Sequence, residues 1–528
     1  MQKRDSSGGM TRRTAPHGAP GAGVAVPGAE GLPWVGDVRK SLVEAGVRRA
    51  WLVGGALRDL LAGAARARPD LDVALPGSGE GAARRVARRL GGSAFPLDEA
   101  AGAWRVALAQ GGTVDLVPLR APSLAEDLAG RDFTVNALAY DLVGAEGLFD
   151  PLGGRADLAA GLLRPCSARA LLDDPVRVLR AYRFAAALGL GFAPELPPLL
   201  AQAAPGLRAA SAERVRTELF ASLDLPGAGA ALRAMEGHGV LAALFPFVGQ
   251  WRGFNQGSYH AHDLLEHSLL ASEAAAALAE DPVGLPRPED LRRHMDEEWE
   301  AGVSRRALLV LTAFLHDVAK PETASTDSSG AGERRRFLGH EVRGGQRLRR
   351  LLAELRVGRR TAAAAQRLAA AHLRLFQLAD QEPPTRRARL RYLVDLGSEA
   401  PEALLLSLAD ELATGPTPPC LAAVRRTAED VLTLFWERRD ARPAAPLLRG
   451  RDVVEKLGVP PGPRVGELLR RVEQAERSGE VRTRRQALAL ARRLAVGPGG
   501  APGSQSGMVE EWERPRARWP SDDGKEKP

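Results

Sequence analysis

The chain has 528 residues, room for about three to four domains and several buried cores. Its 73 Lys and Arg against 65 Asp and Glu give a net charge of +8, a balance that favours a polyanionic partner. Two cysteines, Cys166 and Cys420, exclude a disulfide framework. With no run of 18 apolar residues and no apolar signal core, the chain reads as soluble and cytoplasmic, without a membrane partner.

Residues 1–32 are Gly, Pro, Ser and Ala with scattered charge and read as disordered. From 33 to 152 strands and helices alternate, as an α/β head. Trp51–Val53, Leu71–Ala74, Trp104–Ala109 and Thr113–Val117 read as strands, and 55–62, 79–90 and 132–139 as helices. Gly54 and Gly55 lie between the first strand and the first helix. There they let the backbone approach a polyphosphate and aim amide N–H groups at it. Asp70 and Asp72 follow at i and i+2, so both side chains leave one face of a strand. Carboxylates held that way can share a pair of Mg²⁺ ions, which take oxygen ligands and hold substrate phosphates. Asp115, in the run Thr113-Val114-Asp115-Leu116-Val117, could supply a third carboxylate from a neighbouring strand. An Asp-x-Asp alone is expected about once or twice by chance in a chain this long, so the surroundings decide.

Beyond residue 155 the periodicity is helical nearly throughout. The stretches 282–288 and 321–335 read as loops, and 498–528 as a second disordered segment. Eight of the nine histidines fall between residues 238 and 372.

The stretch Gly54-Gly55-Ala56-Leu57-Arg58-Asp59 with Asp70-Leu71-Asp72 resembles the tRNA nucleotidyltransferase and poly(A) polymerase family in its bacterial, class II form. Four further motifs follow in the family's order. They are Asp127 to Tyr140; Asp150-Pro151-Leu152-Gly153-Gly154 with Asp157-Leu158; Asp173-Asp174-Pro175-Val176-Arg177-Val178-Leu179-Arg180-Ala181-Tyr182-Arg183-Phe184; and Ser211 to Leu219. The resemblance implies a polymerase-β-like nucleotidyltransferase head followed by an all-helical neck, body and tail, an α+β protein. It implies metal binding and catalysis by Asp70 and Asp72, with a looser match at Asp115. Arg58 would contact phosphate, Arg131 would meet the triphosphate, and Asp132 and Asn136 would hold the incoming sugar. Their i, i+4 spacing would place those two on one helical face. Gly153-Gly154 would be a flexible joint.

In the fourth motif, Asp174 and Pro175 read as a helix start. Asp174 and Arg177 then share a face, with Arg180 and Arg183 as further nucleotide-binding residues. A carboxylate accepts hydrogen bonds and a guanidinium only donates them. Cytosine and adenine present an amine beside an acceptor nitrogen, and guanine and uracil the reverse. The pair can therefore accept CTP and ATP and reject GTP and UTP without a nucleic-acid template. The family usually has Glu where this chain has Asp173, which loosens the expected base preference.

His267, His316-Asp317, His340, His372 and Asp410 resemble the HD-domain metal-hydrolase pattern, with apolar helices delivering His316, Asp317 and Asp410. Imidazole with carboxylate suits nickel, manganese, iron or zinc. The implied organisation is a head over 33–152, a neck binding RNA and nucleotide over 153–250, an HD body over 251–415 and a tRNA-binding tail over 416–497. In that tail Arg470, Arg471, Arg482, Arg484 and Arg485 could contact phosphates. The expected activity is template-independent, two-metal addition of C and A to the 3′ end of tRNA from CTP and ATP, with a possible second phosphohydrolase activity. A poly(A) polymerase and a CC-only or A-only enzyme share these motifs. An HD phosphohydrolase with an RNA-binding head and a noncatalytic tRNA-binding protein are disfavoured by the intact Asp70 and Asp72.

Overall fold

The computed structural model describes residues 29–144, 146–327, 334–381, 383–441, 447–477, 480–481 and 483–496. The expected disorder of 1–28 and 498–528, and Arg482, lie outside these residues. Residues 29–32, expected in the disordered segment, are ordered: Ala29 and Leu32 are buried in the head's core.

The head opens with α1 (Val35–Glu44) and β1 (Trp51–Val53), whose three residues are all buried. A strand apolar on both faces belongs inside a sheet. There β1 lies between β2 (Leu71–Leu75) and a later strand, after α2 (Gly55–Leu61) has returned the chain. Next come α3 (Glu80–Leu90), β3 (Gly92–Asp98), β4 (Ala103–Leu108) and β5 (Thr113–Pro118). The head closes with α4 (Leu124–Ala129), β6 (Ala139–Asp141) and β7 (Leu148–Phe149). The seven strands run in the order β3-β4-β5-β2-β1-β6-β7, and only β2 and β5 pair in parallel.

Alternation decides which face carries chemistry. Leu71, Val73, Leu75, Val114, Leu116, Trp104 and Val106 enter one core with α1 and α3. Asp72, Asp115 and Arg105 therefore leave the opposite face, in direct register across β2, β5 and β4.

Two expectations fail here. Residues 132–139 are not a helix but a single 3-10 turn, Thr134–Asn136, running into β6. Helical spacing there reflects a tight turn whose residues are all buried, not an amphipathic face. Strand β3 was not expected, because most of its residues are exposed on an edge strand and show little apolar alternation.

Past the head, α5 (Gly154–Ala160), β8 (Leu162–Leu163), α6 (Ala170–Asp173), α7 (Arg177–Leu188), β9 (Gly191–Phe192), α8 (Leu196–Ala203) and α9 (Ala212–Leu223) form the neck. Helix α7 begins at Arg177, so Pro175 does not open it as expected; Asp174 instead stands in the turn between α6 and α7. The Gly153-Gly154 pair is tightly held. Gly153 has φ +72, and a Cβ on Gly154 would lie 2.0 Å from the Thr134 carbonyl. Asp150 caps the following amides of Gly154 and Arg155.

The body is a set of helices that includes Leu264–Glu280, Arg305–Leu315, His340–Glu354, Arg359–Ala371 and Ala400–Leu412. The stretch 321–335, expected to be a loop, contributes two paired strands, Ala324–Asp327 and Arg334–Phe337. Its high charge masks them, because the hairpin is exposed. Residues to 384 and 396–436 make one compact unit, and 385–395 with 437 onward a second. The first thus takes in 416–436. In the second, Gly450–Leu457, Pro463–Arg477 and Arg484–Val496 pack on Val453, Leu468, Val472 and Ala487, leaving Arg470, Arg471 and Arg485 exposed; Arg484 pairs with Asp452.

Replacing Gly154 with Ala places a methyl group against backbone that cannot rotate away. Thermal unfolding of G154A should show a loss of roughly 1–3 kcal/mol, the range for overpacking; an unchanged melting temperature would show that the α5 start is slack.

Candidate active site

Asp70 lies just ahead of β2 and accepts hydrogen bonds from the Thr113 amide (3.1 Å) and hydroxyl (2.8 Å). Asp72 stands between Val53 of β1 and Asp115 of β5. Burial pushes the Asp72 carboxyl up to about 6, and the charges of Asp115 and Asp70 add to it while Arg131 and Arg105 oppose it. Asp115 is buried and receives a bidentate pair from Arg105, both bonds 2.7 Å. Gly54, at φ +76, faces the same carboxylate: a Cβ there would lie 2.6 Å from Asp72 Oδ2. The donors are all carboxylate oxygens, with Asp72 and Asp115 in direct register on adjacent strands, which fits a hard divalent cation such as Mg²⁺. Asp115 would have to share its oxygens with Arg105, and each oxygen has a second lone pair for that.

Around these carboxylates the expected nucleotide residues form one chain of contacts. Arg58 chelates Asp59 and donates to Asn136 Oδ1 (2.7 Å). Asn136 donates to Asp132 (3.1 Å), and Asp132 accepts from Arg180 (2.9 Å). Burial raises the Asp132 carboxyl, but Arg180, Asn136 and the Phe133 amide outweigh it and hold it below the usual range. Arg180 and Arg183 then share Glu218 of α9, at 3.1 and 2.6 Å. All three guanidiniums, of Arg58, Arg180 and Arg183, lie over the Phe184 ring at 4.3–5.4 Å. Arg131 is braced by Asp127, which also accepts from the Arg120 amide. Glu218, Phe184, Asp127 and Arg105 received no role from the sequence. For Glu218 the available signal was a carboxylate next to the buried Leu219 and Phe220 on a helix following three spaced arginines.

Asp174 and Arg177 come together as expected, with Nε 3.7 Å from Oδ2. Three hydrogen bonds fix Arg177, to the carbonyls of Gly130 (2.9 Å), Arg131 (3.1 Å) and Ala170 (3.1 Å). Of the five guanidinium N–H groups, two are left for another acceptor. Asp173 points away to Arg169 and takes no part in the pair.

A second cluster lies in the body. His267, His316, Asp317 and Asp410 form one set, and Asp317, His340 and His372 another, all buried. Asp317 belongs to both. Each imidazole faces a backbone carbonyl through Nδ1: His267 with Ala413 (3.2 Å), His316 with Ala313 (2.8 Å), His340 with Phe337 (2.6 Å) and His372 with Ala369 (2.7 Å). That assigns the proton to Nδ1 and turns every Nε2 lone pair inward, the arrangement of a metal-binding histidine. The Nε2 atoms of His267, His316 and His340 and the Oδ1 of Asp317 are buried without a hydrogen-bond partner. Buried polar atoms in that state need a ligand, and the mixed N/O donors would suit a divalent transition metal, with Asp317 common to both sets. Lys320, which the sequence did not single out, brings its ammonium to 2.5 Å from Asp317 Oδ2 and donates to Gln256 (2.8 Å).

Residues 50–164 match the family described as Poly A polymerase head domain, 189–251 that described as Probable RNA and SrmB- binding site of polymerase A, and 264–415 the HD domain. The A-adding tRNA nucleotidyltransferase of Deinococcus radiodurans is 38% identical over 458 residues, 84% of this chain and 95% of the relative. The CC-adding tRNA nucleotidyltransferase of Geobacter sulfurreducens is 36% identical over 450 residues, 85% of this chain and 92% of the relative. A solved CCA-adding enzyme in complex with ATP shares the fold at a TM-score of 0.58 and 19% identity, covering 88% of this chain and 94% of that one.

Two outcomes follow from the charges. Because the folded-state pKa of Asp72 is raised to about 6, ionised Asp72 penalises the metal-free fold above that pH, and the penalty fades as pH falls towards 3.8, the ordinary value. Calorimetry in EDTA should therefore find D72N roughly 2–4 °C more stable than the parent near pH 8, the range for about 1 kcal/mol in a sizeable domain. The gap should close near pH 4, and a pH-independent gap would contradict the assignment. Elemental analysis after transition-metal loading should give about two ions per chain, about one for H372A, and none for D317A. Equal loading of H372A and the parent would exclude the second set.

Proposed function

Because the chain belongs to the tRNA nucleotidyltransferase family, as relatives matching almost their whole length show, we propose that it adds both C and A to the 3′ end of tRNA. It is an enzyme of the nucleotidyltransferase type. The observation that carries the choice of nucleotide is the Asp174–Arg177 pair, with Arg177 fixed by three backbone carbonyls. Asp174 would accept the exocyclic amine of cytosine or adenine, and the remaining Arg177 donors would meet the adjacent ring nitrogen. Uracil and guanine would bring a carbonyl to the carboxylate and an N–H to the guanidinium, and a site built to bond one pattern rejects the other strongly.

Asp70 and Asp72, with Asp115 beside them, would hold Mg²⁺, which when bound lowers the barrier by activating the RNA 3′-hydroxyl and neutralising the leaving pyrophosphate. The 3′-hydroxyl gives up its proton to solvent as its oxygen bonds the α-phosphorus, and the bond from the α-phosphorus to the oxygen bridging to the β-phosphorus breaks, pyrophosphate carrying away the electron pair. Gly54 keeps backbone, not side chain, against Asp72 and the phosphates. Arg131, braced by Asp127, offers charge to the triphosphate. Asp132 and Asn136, each tied to an arginine, are positioned for the sugar.

A narrower reading has its own support. The two relatives quoted are specialists, one adding A and the other CC, so this chain could carry half of the addition. The body's histidine cluster supports a second, metal-dependent phosphohydrolase activity on phosphate-ended RNA or nucleotides, and a polymerase head implies divalent metal use.

Transcripts ending before C, after CC and after CCA, given CTP, ATP or both with Mg²⁺, separate these readings once the 3′ ends are sequenced. Completion of CCA on the first transcript is the expected result; CC alone, or A only on the CC transcript, identifies the specialist. D70N and D72N should each reduce addition on the order of a thousandfold or more and leave hydrolysis at the histidine cluster intact. Addition surviving both substitutions would overturn the head as the transferase.

A further inference from the structure

Asp174 carries a second guanidinium that base reading does not call for. Ser211 caps the start of α9, its hydroxyl accepting from the Arg214 amide at 3.5 Å, and so places Arg214 in the first turn. From there Arg214 Nη2 donates to Asp174 Oδ2 at 2.7 Å. Arg177 Nε stands 3.7 Å from that same oxygen, beyond hydrogen-bond reach. Among the described residues Oδ1 receives no hydrogen bond. The two oxygens are thus divided: one is held by Arg214, and the other is free as an acceptor.

Without Arg214 the Asp174 carboxylate is free to turn about its last torsion. Its nearest cation is then Arg177, three residues on, whose two remaining donors match a carboxylate's two oxygens. A closed Asp174–Arg177 pair would satisfy itself and present neither an acceptor nor a donor to a base. Arg177 cannot retreat, because three backbone carbonyls fix it. What keeps the pair open is therefore whatever holds Asp174 by its other oxygen. We propose that Arg214 is a specificity-determining positioning residue, which anchors Asp174 through Oδ2 so that Oδ1 and Arg177 remain available to an amine-bearing base. The inference rests on the base-reading role proposed above for Asp174 and Arg177. Arg214 itself touches no nucleotide in this scheme, since its work is finished at the carboxylate. Its side chain is 56% exposed, so removing it leaves no buried cavity.

The test compares the full-length parent with R214A, R214Q, R214K and D174N. Single-nucleotide addition is measured with whichever of CTP or ATP the parent adds, and with UTP and GTP. For R214A and R214Q the KM for the correct nucleotide should rise about tenfold and its preference over UTP or GTP fall at least about tenfold, the scale of one charged hydrogen bond. Their kcat at saturation, KM for tRNA and melting temperature should stay near the parent's. R214K keeps a donor and a charge, and should recover most of the preference. If D174N loses the preference while R214A and R214Q keep it, base reading stands and the role of Arg214 is overturned. If D174N also keeps it, the base-reading proposal itself falls. A rise confined to the KM for tRNA would make Arg214 an RNA-backbone contact and overturn the inference. A parallel fall of kcat and melting temperature with preference intact would make it merely structural, which also overturns it.

Discussion

Asp72 and Asp115 lie directly opposite one another on neighbouring parallel strands, and two carboxylates in that register repel in a site where water is partly excluded. Two arginines answer that repulsion. Arg105, one strand further, binds Asp115 through both oxygens, and Arg131 lowers the cost at Asp72 from the other side. The buried apolar faces of β1, β2 and β5 hold the strands in register, so the carboxylates cannot drift apart. A divalent cation between such groups turns the repulsion into ligation, which is why a costly arrangement is worth its place in a phosphoryl-transfer site. Gly54 completes the constraint, because any side chain there would occupy the space beside Asp72 Oδ2.

From that centre the architecture passes outward through arginines, each held by a carboxylate or a carbonyl. Asp132 in the head and Glu218 in α9 grip Arg180 from both sides, and Phe184 lies beneath three guanidiniums at once. Planar guanidinium groups suit this use, since they form directed pairs and stack on a ring simultaneously. Asp132 and Asn136 of the head and Arg180 of the neck thus belong to one bonded network. A shift of α7 relative to the head would disturb Asp132 and Arg177 together, because Arg177 also bonds the carbonyls of Gly130 and Arg131.

What the sequence revealed followed from how local each feature is. The run Trp51-Leu52-Val53 and the pairing of Asp174 with Arg177 depend on a few neighbouring residues, and each is present in the structure, whereas Asp70 falls just ahead of the strand that carries Asp72. The histidines were legible as a set through their clustering and the apolar helices that carry them, but not their division into two groups around Asp317. That division depends on where five separate helices meet. The turn at 134–136 misled because tertiary burial, not helical amphipathicity, sets the Asp132–Asn136 spacing. Glu218, Arg105 and Arg214 were missed for a related reason: each acts on a partner at least ten positions away, and a charged residue in one sequence says little about whether it faces solvent or another charge.

The two carboxylate-bearing centres differ in how each would hold a metal, and the difference matches the proposed chemistry of each. In the head Asp70 is exposed and Asp72 half-buried, with oxygen donors only. Mg²⁺ favours such sites because it retains water and takes its remaining ligands from the phosphates it accompanies. In the body, four imidazoles with fixed tautomers converge on Asp317 from buried positions. Nitrogen donors that are desolvated and oriented in advance favour a transition metal that stays in place between turnovers. An ion that arrives with each nucleotide and one that resides in the fold therefore select opposite degrees of burial.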